Sequence, residues 1–442
     1  MRTLYLDGFR GFEKTYLPLP DVSFFVGENS TGKTSVLSAI QILSESKCWF
    51  SGHFSSDEVN LGGFRDIVPP GRSYFQIGFF STKRAVLLTF TPEKGAPVLS
   101  GLRLLNGTEQ VRILRKNKDI FVSESRDGAA RRGGMSPKGA KKKKKGNPYE
   151  VAFEAWLEGG DPLSTSGMRK VNMKDLPLPE TASLMVALSA ARMAASEKDA
   201  KDKRSFTFSI MAPQTLLNSP VWVAPVRAKP RRTYDTPGYE YSSEGEHLPQ
   251  LLNAILGLGS SNAGVKVIEY GAESGLFKKV DIHRFGEEEH APVEITVDLG
   301  GLTTSIFNAG YGVSQSLPVV SEVVSRPKGT WFTIQQPEVH LHPRAQAAIG
   351  ELIFNMAGPS QEKRFLVETH SDYIIDRFRS SMRKATEAGQ PVPTAQIVFF
   401  RREEGKNALH SLPLSPVGEY PENQPDGFRA FFLQEELRNL GF

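Results

Sequence analysis

The stretch Gly27-Glu28-Asn29-Ser30-Thr31-Gly32-Lys33-Thr34 decides the fold, because it matches the phosphate-loop pattern G-x-x-x-x-G-K-[ST]. The apolar run Val22–Val26 predicts a short buried strand before it, and the periodicity of Ser35–Leu43 predicts a helix after it. A chance match in a glycine-rich turn would not require this strand and helix on its two sides. We therefore predict a phosphate-binding loop between a strand and a helix.

Each part of this loop has a chemical reason. Glycines let backbone N–H groups turn inward around phosphates, and the N-terminal end of the following helix attracts the same anion. Lys33 would reach the β- and γ-phosphates of ATP, and the Thr34 hydroxyl would bind Mg²⁺. The residues predicted to bind the nucleotide here are Gly27, Glu28, Asn29, Ser30, Thr31, Gly32, Lys33, Thr34 and Ser35.

The composition restricts the class of protein. The chain of 442 residues is long enough for two or three lobes. Cys48 is the only cysteine, which excludes an intrachain disulfide and a cysteine-based metal site. No run approaches the roughly 18–20 apolar residues of a membrane span. Met1–Lys14 also lacks the pattern of a signal peptide, so we expect a cytoplasmic protein with no membrane partner.

The net charge of +5 is concentrated in one stretch. Arg126–Lys145 carries nine Lys or Arg residues against one Asp, and the rest of the chain is close to neutral. The overall charge therefore does not by itself indicate nucleic acid binding.

Strand and helix patterns divide the chain into four parts. Short strand-like pieces separated by turns fill Ser73–Phe121 and predict an antiparallel sheet. The parts are an N-terminal ATPase lobe with the phosphate loop and an antiparallel β subdomain (1–125), a basic mobile loop (126–148), a helical insertion (149–220) and a C-terminal ATPase lobe (221–442).

Three further motifs follow in the C-terminal lobe. The apolar strand Trp331–Ile334 runs into QQPEVHLHP at 335–343. A second predicted strand, Phe365–Val367, ends in Thr369-His370-Ser371. The segment NAGYGVSQSLP at 308–318 lies upstream of both.

In this order after a phosphate loop, these motifs resemble the ATPases of the overcoming-lysogenization-defect (OLD) and AAA-15/AAA-21 group, compact relatives of ABC and SMC ATPases. The resemblance is strongest over residues 1–80 and 221–442 and weak over about 95–220. It implies an α/β fold, an ABC-type P-loop ATPase head with an antiparallel β subdomain and a small helical insertion. It also implies ATP hydrolysis with Mg²⁺.

The resemblance implies roles for particular residues. Gly312, Ser314 and Gln315 match the signature segment, which contacts the γ-phosphate bound on the opposite subunit of a homodimer. His370 matches the switch histidine that senses this phosphate, and His340–Pro343 matches a loop that crosses the dimer interface.

Structural alternatives exist for each of these roles. Ser314 could cap a helix N-terminus, and His370 could be a polar residue that closes a strand. The spacing of His340 and His342 could suggest a metal site. Since no cysteine or carboxylate stands at a supporting spacing, we favour the interface.

The sequence departs from the group at Gln335. ATPases place an acidic residue at the end of this strand to hold the hydration shell of Mg²⁺, often beside a second one that polarises the attacking water. Here both positions are glutamine, Gln335 and Gln336, and relatives often carry a glutamine at the second. Glutamine keeps a hydrogen-bonding oxygen but cannot act as a base. Glu338 is the nearest remaining carboxylate and could take part in catalysis.

Two explanations fit this departure. Either the natural protein binds ATP and hydrolyses it slowly or not at all, or Gln335 replaces a glutamate so that the ATP-bound state is trapped. The predicted catalytic residues are Gln335, Gln336, Glu338 and His370, and the predicted metal-binding residues are Thr34 and Gln335.

The leading functional hypothesis is an ATP-gated sensor or scaffold. Members of the group without a Toprim nuclease domain act in bacterial anti-phage systems, such as those of the PARIS type, beside a separately encoded toxic effector. No Toprim carboxylate pattern follows Ser371. We therefore expect an ATP-bound homodimer, with higher assembly open, that holds such an effector protein.

Two other functions compete with this hypothesis. Lys141–Lys145 could bind the phosphate backbone of DNA or RNA in a repair-type or SMC-like ATPase, although a Gly/Lys loop without aromatic residues is more often a solvated loop. A metabolic ATPase or kinase is the third class, and the signature segment and Thr-His-Ser triplet argue against it.

Overall fold

The structure, a computed structural model, describes residues 1–56, 58–117, 119–125, 147–171, 184, 215–218, 220–235, 240–257, 262–288 and 291–428. The Lys-rich stretch, most of the predicted helical insertion and the last fourteen residues, 429–442, lie outside the described residues. The chain forms two units. The first comprises Met1–Leu19, Thr34–Ser219 and Arg401–Leu409, and the second comprises Pro20–Lys33, Pro220–Phe400 and His410–Phe442.

The first unit contains an antiparallel sheet with the strand order β2-β1-β4-β5-β6-β7-β8-β9. These strands are β1 (Arg2–Asp7), β2 (Thr15–Leu19), β4 (Phe75–Phe80), β5 (Arg84–Glu93), β6 (Ala96–Asn106), β7 (Glu109–Lys116), β8 (Asp119–Ser125) and β9 (Arg169–Val171). Sequential neighbours joined by short turns confirm the predicted antiparallel sheet. The pieces predicted over Ser73–Phe121 are β4 to β8.

Aromatic packing holds this sheet together. Phe75 and Phe90, opposite each other on β4 and β5, stack with ring centroids 4.9 Å apart, and Phe54 packs edge-on against both. The helices of the described part of this unit are α1 (Lys33–Ser44, whose first residue belongs to the second unit), α2 (Ser46–Ser51), α3 (Phe64–Ile67) and α4 (Pro148–Glu158).

The second unit contains a mainly parallel sheet with the order β10-β14-β15-β3-β16-β17. Its strands are β3 (Val22–Gly27), β10 (Val221–Val223), β14 (Trp331–Gln335), β15 (Arg364–Glu368), β16 (Ala395–Glu403) and β17 (Lys406–Pro413). Because β14, β15 and β3 pair in parallel, their carboxyl ends lie at the same edge of the sheet. Ligands of open α/β sheets bind at such an edge.

Helices and a small sheet complete the second unit. The small sheet consists of β11 (Lys279–Arg284), β12 (Val293–Asp298) and β13 (Thr303–Ser305), and the described helices are α5 (Leu248–Gly257), α6 (Asn262–Ser274), α7 (Tyr311–Ser325), α8 (Pro343–Ala357) and α9 (Asp372–Glu387). Helix α7 is buried at every position from Val313 to Val324. No helix in the described part of the chain is long and apolar enough to cross a membrane.

The structure places the phosphate loop in a different unit from the lobe that the sequence predicts for it. The sequence placed this loop in a continuous lobe over 1–125, whereas the structure groups Pro20–Lys33 with Pro220–Phe400. The reason is strand pairing, because β3 lies between β15 and β16 and pairs in parallel with both. Thus the phosphate loop up to Lys33 belongs to the same unit as β14 and β15.

Candidate nucleotide site

The phosphate loop follows β3 and leads into α1. Gly27 and Gly32 have φ angles of +131° and +97°, and Ser30 has +62°. A Cβ atom on Gly27 would lie 2.1 Å from the carbonyl oxygen of Phe400, so only glycine fits there. The strand, loop and helix predicted from the sequence are confirmed.

Lys33 is buried at the end of this loop, with 4% of its surface exposed. Its Nζ donates hydrogen bonds to the carbonyl oxygens of Gly27 (2.8 Å) and Glu28 (2.7 Å). Burial lowers the pKa of Lys33, and the carboxylates of Glu368 and Glu28 oppose this change. A buried ammonium held by exchangeable carbonyl bonds can turn to a phosphate oxygen.

The remaining predicted loop residues surround this lysine in sequence. Glu28, Asn29 and Ser30 are exposed, whereas Thr31 is buried and donates from Oγ1 to the carbonyl of Glu28 at 2.8 Å. Thr34 and Ser35, the second and third residues of α1, fall in the first unit. Their binding roles remain predictions from the pattern.

Gln335 and Gln336 lie where β14 ends. Gln335 is buried, and its Nε2 donates to Oε2 of Glu368 at 3.1 Å on the neighbouring strand β15. The backbone N–H of Gln336 donates to the carbonyl of Glu368 at 2.8 Å. Gln336 also has φ +43°, in the left-handed region that costs energy for a residue with a side chain. The loop therefore turns sharply, directly after the Gln335–Glu368 pair.

Arg227 donates hydrogen bonds to the backbone of this turn. It is 3% exposed, and its guanidinium donates to the carbonyl oxygens of Gln335 (3.1 Å) and Gln336 (3.3 Å). Burial lowers the pKa of Arg227 to about 10, partly offset by the carboxylate of Glu338. Arg227 therefore supports the backbone of the glutamine turn, Gln335–Gln336.

Glu338 joins the glutamine turn to the Thr-His-Ser segment. Its Oε2 accepts from Thr369 Oγ1 at 2.8 Å, and its Oε1 accepts from the backbone N–H of His370 at 2.7 Å. Because both carboxylate oxygens are engaged, Glu338 positions the residues around His370 in this arrangement. The exposed side chain of His370 itself is left facing outward.

A second bridge links the Thr-His-Ser segment to the histidine loop, residues His340–Pro343. Ser371 Oγ donates to Oε1 of Gln346 at 2.6 Å, and Nε2 of Gln346 donates to the carbonyl of Leu341 at 2.9 Å. Ser371 also caps the N-terminus of α9. Residues 335–343 and 368–371 are thus connected by side chains as well as by the pairing of β14 with β15.

The signature segment opens α7. The N-cap of this helix is Gly310, so the alternative that Ser314 is the cap is wrong. Ser314 is instead the fourth residue of the helix, and its Oγ donates to the carbonyl of Tyr311 at 3.1 Å. Burial of Val313 and the residues after it explains the earlier start, since the apolar face begins before Ser314. Gly312, Ser314 and Gln315 therefore share the first turns of one helix.

The outer face of this segment offers both an aromatic and a basic surface. Tyr311 is 58% exposed, and its ring centroid lies 5.6 Å from that of His340. A cavity of about 430 Å³ lies beside Ser314, and Lys229 and Arg231 are among its lining residues. Such cationic side chains attract phosphate.

The two histidines of the histidine loop act in different ways. His342 caps α8, and its Nδ1 accepts from the backbone N–H of Arg344 at 3.3 Å. His340 has φ +63° and packs near Tyr311. Among the described residues, no group of three or more His, Cys, Asp or Glu side chains is placed to hold a metal ion.

Glu368 is the residue that sequence reasoning missed. It ends β15 directly before Thr369, lies 5% exposed, and faces both Gln335 and the charge of Lys33. A signal was present, because a carboxylate at the end of an apolar run is unusual unless it is paired or binds a ligand.

Sequence models of two families match the chain. The AAA ATPase domain AAA-15 matches residues 1–86, and the AAA domain AAA-21, described as putative AbiEii toxin of a type IV TA system, matches residues 234–376. No curated protein matches the chain. The phosphate loop lies in the first match, and the residues from the signature segment to the Thr-His-Ser segment lie in the second.

Solved structures give weaker likenesses. The SMC head domain from Thermotoga maritima is 12% identical with a TM-score of 0.36, and the match covers 93% of this chain and 98% of that one. An Smc head domain from Pyrococcus furiosus, with an extended coiled coil and the C-terminal domain of ScpA bound, is 13% identical (TM-score 0.38; 99% and 100% covered). The recombination mediator protein RecF is 10% identical (TM-score 0.31; 92% and 97% covered). At these TM-scores nothing about their partners is carried over.

Proposed function

We propose that this chain, an ABC-like P-loop ATPase of the AAA-15/AAA-21 group, is an ATP-gated switch that controls a separately encoded effector in anti-phage defence. In this proposal, ATP with Mg²⁺ binds at Gly27–Ser35, and two copies of the chain close around two nucleotides. The description of the AAA-21 family as a putative toxin of a type IV system is compatible with an effector partner.

The observation that carries the proposal is the pair of bridges between the loops at 335–343 and 368–371. Glu338 holds the backbone of His370, and Gln346 joins Ser371 to Leu341. A contact of the γ-phosphate with His370 would therefore be transmitted to the histidine loop through bonds that already exist. A ligand shifts an equilibrium by its differential contact with two states, and in this proposal that contact is the one between the γ-phosphate and His370.

The face around the signature segment supports a partner copy. Leu302, Phe307 and Tyr311 are exposed to 63%, 44% and 58%, close together in sequence before and within the start of α7. Large apolar side chains in water mark interaction surfaces when they cluster. Lys229 and Arg231 beside Ser314 would face the phosphates that a second copy carries.

When bound, Mg²⁺ would neutralise the charge of the β- and γ-phosphates. The chain contributes the Lys33 ammonium, the Thr34 hydroxyl assigned by the loop pattern, and the polar groups at the ends of β14 and β15. Carboxylate, amide and hydroxyl oxygens are the ligand types that suit Mg²⁺ and its bound waters. Gln335 cannot serve as a base, so we expect slow hydrolysis in the chain as it stands.

The test combines single-turnover ATP hydrolysis with light-scattering mass, with and without ATP, for this chain, Gln335→Glu and Lys33→Ala. We expect the mass to double with ATP in the first two and not in Lys33→Ala, whose ATP affinity should fall about 100-fold. Lys83→Ala, at an exposed lysine, is the matched control.

The outcomes separate the parts of the proposal. Faster hydrolysis by Gln335→Glu identifies a working ATPase cycle, whereas binding and assembly without hydrolysis identify an ATP-gated scaffold. ATP binding by Lys33→Ala equal to that of the unaltered chain would contradict the nucleotide site. The effector role predicts co-purification with a neighbour-encoded protein, and a chain that is always partner-free in its native host contradicts it.

A further inference from the structure

Two polar side chains, Gln335 and Glu368, meet at the carboxyl edge of the parallel sheet, and the one at the end of β14 is not acidic. Gln335 and Glu368 are register partners on β14 and β15, and Glu368 is in turn the partner of Phe25 on β3. Strand β15 therefore lies between the glutamine turn and the phosphate loop. A side chain at its carboxyl end is closer in the sheet to the strand of the phosphate loop than one on β14.

The hydrogen bond between Gln335 and Glu368 runs from the amide to the carboxylate. Gln335 Nε2 donates to Oε2 of Glu368 at 3.1 Å. A glutamate at 335 would set two carboxylates against each other in a buried place, and each would disfavour the charge of the other. With glutamine at 335, Glu368 is the only carboxylate of the pair.

Glu368 also interacts electrostatically with Lys33 of the phosphate loop. Lys33 is buried to the same degree as Glu368, at 4% and 5% exposed, and Glu368 is the carboxylate that acts most strongly on it. Buried charges are retained in proteins when they are paired or bind ions. The positive charge of the phosphate loop therefore has its counterpart on β15.

The other nearby carboxylates are less suited to a metal ion. Both oxygens of Glu338 accept hydrogen bonds from Thr369 and His370, and Glu28 has an exposed side chain within the loop itself. A metal ion bound to Oε1 of Glu338 would displace the N–H of His370, and one bound to Oε2 would displace the hydroxyl of Thr369.

We propose that Glu368, oriented by the amide of Gln335, supplies the acidic oxygen toward the Mg²⁺ of the nucleotide. Other ATPases carry this acidic residue at the strand end that corresponds to Gln335. In this chain the acidic residue that faces the metal would therefore lie on the neighbouring strand β15, at position 368, and not on β14 at position 335. This inference rests on the proposed binding of ATP, and it assigns a binding residue that the motif does not contain.

The experiment measures metal and nucleotide binding separately. A fluorescent ATP analogue is titrated into the full chain in excess EDTA and in Mg²⁺, and Mn²⁺ binding to the ATP complex is followed by electron paramagnetic resonance. Variants are Glu368→Gln, Glu368→Asp and Lys33→Ala, with Glu387→Gln, an exposed glutamate at the end of α9, as the matched control.

We expect Glu368→Gln to bind the analogue in EDTA about as well as the unaltered chain and to lose about 10- to 100-fold in Mn²⁺ affinity, the range for removal of a group that supports a metal. Glu368→Asp keeps the charge but shortens the reach, so its Mn²⁺ affinity should fall less. Glu387→Gln should match the unaltered chain in both measurements.

Unchanged Mn²⁺ affinity in folded Glu368→Gln overturns the inference. If that variant does not fold, unchanged Mn²⁺ affinity in Glu368→Asp overturns it instead, and a loss there supports it. Failure of the unaltered chain to bind the analogue in EDTA and in Mg²⁺ alike would refute the proposed nucleotide site rather than the role of Glu368.

Discussion

The two large sheets of this protein differ in the side chains that their buried strands carry. In the antiparallel sheet of the first unit, β4 is buried at all six positions and its interior is filled with aromatic rings. In the parallel sheet of the second unit, β14 is equally buried but ends in Gln335, and its neighbour β15 ends in Glu368. The first sheet also buries polar side chains, Asp7, Gln76 and Thr89, but the buried polar groups at the ends of β14 and β15 are the ones that lie beside the strand of the phosphate loop.

The strongest test of this comparison is Phe75→Ala. Phe75 is fully buried between Phe54, Phe64 and Phe90, and removing such a ring costs about 3–5 kcal/mol. We expect this loss of unfolding free energy in urea titrations, with ATP affinity unchanged where the variant is folded. Phe50→Ala, at a half-exposed ring, is the control and should change little. A specific loss of ATP affinity in Phe75→Ala would contradict the division of roles.

A smaller effect is expected for Arg227→Met, which removes the donors to the glutamine turn. The carbonyls of Gln335 and Gln336 would be left buried without these partners, at a cost of about 1–3 kcal/mol in unfolding free energy. ATP affinity should fall as well, since the turn carries the Gln335–Glu368 pair. Arg231→Met is the matched control for stability only, because Arg231 is exposed and its ion pair with Glu246 is 3.7 Å long, so its unfolding free energy should change little. Equal stability of the two variants would remove Arg227 from the site.

The smallest expected effect concerns Lys363, the fully buried lysine of the second unit. Its Nζ donates to the carbonyls of Val323 (2.6 Å) and Val324 (3.3 Å) at the end of α7, and burial lowers its pKa from 10.5 to about 8. The unfolded chain therefore binds more protons between these two values, so stability rises with pH through that window. Urea unfolding should give about 1 kcal/mol more stability at pH 9 than at pH 7 from this group.

The control for this pH effect is the pair Lys363→Met and Lys83→Met. Lys363→Met should remove the part of the pH slope that the lysine contributes, whereas Lys83→Met, at an exposed position, should keep it. An identical slope in Lys363→Met and the unaltered chain would show that the buried amine is not the source.

The sequence predicts the local parts of this protein well. A strand, a glycine loop and a helix around Lys33 need only neighbouring residues, and so do the short alternating strands that became β4 to β8. The ends of β14 and β15 were also placed within about one residue. These features depend on periodicity and turn chemistry, which a chain shows without its partners.

Contacts between distant segments could not be predicted in the same way. Gln335 and Glu368 are neighbours only because β14 and β15 are adjacent and in one register, which no local pattern encodes. For the same reason the sequence does not show that Glu338, a candidate catalytic residue, accepts hydrogen bonds from Thr369 and His370. Ser314 is a candidate helix cap on its residue type alone, whereas the helix begins at Tyr311 after the N-cap Gly310.

The pairing of β3 with β15 and β16 has a consequence for synthesis on the ribosome. The strand that carries the phosphate loop is synthesised more than 300 residues before both of its neighbours, β15 and β16. At about 5–20 residues per second, β3 waits roughly half a minute for its partners, with Phe24 and Phe25 unprotected. The hairpins of β4 to β8 can close meanwhile, because their contacts are local. Yield of folded protein should therefore respond to slower translation and to chaperones that hold an apolar N-terminal segment.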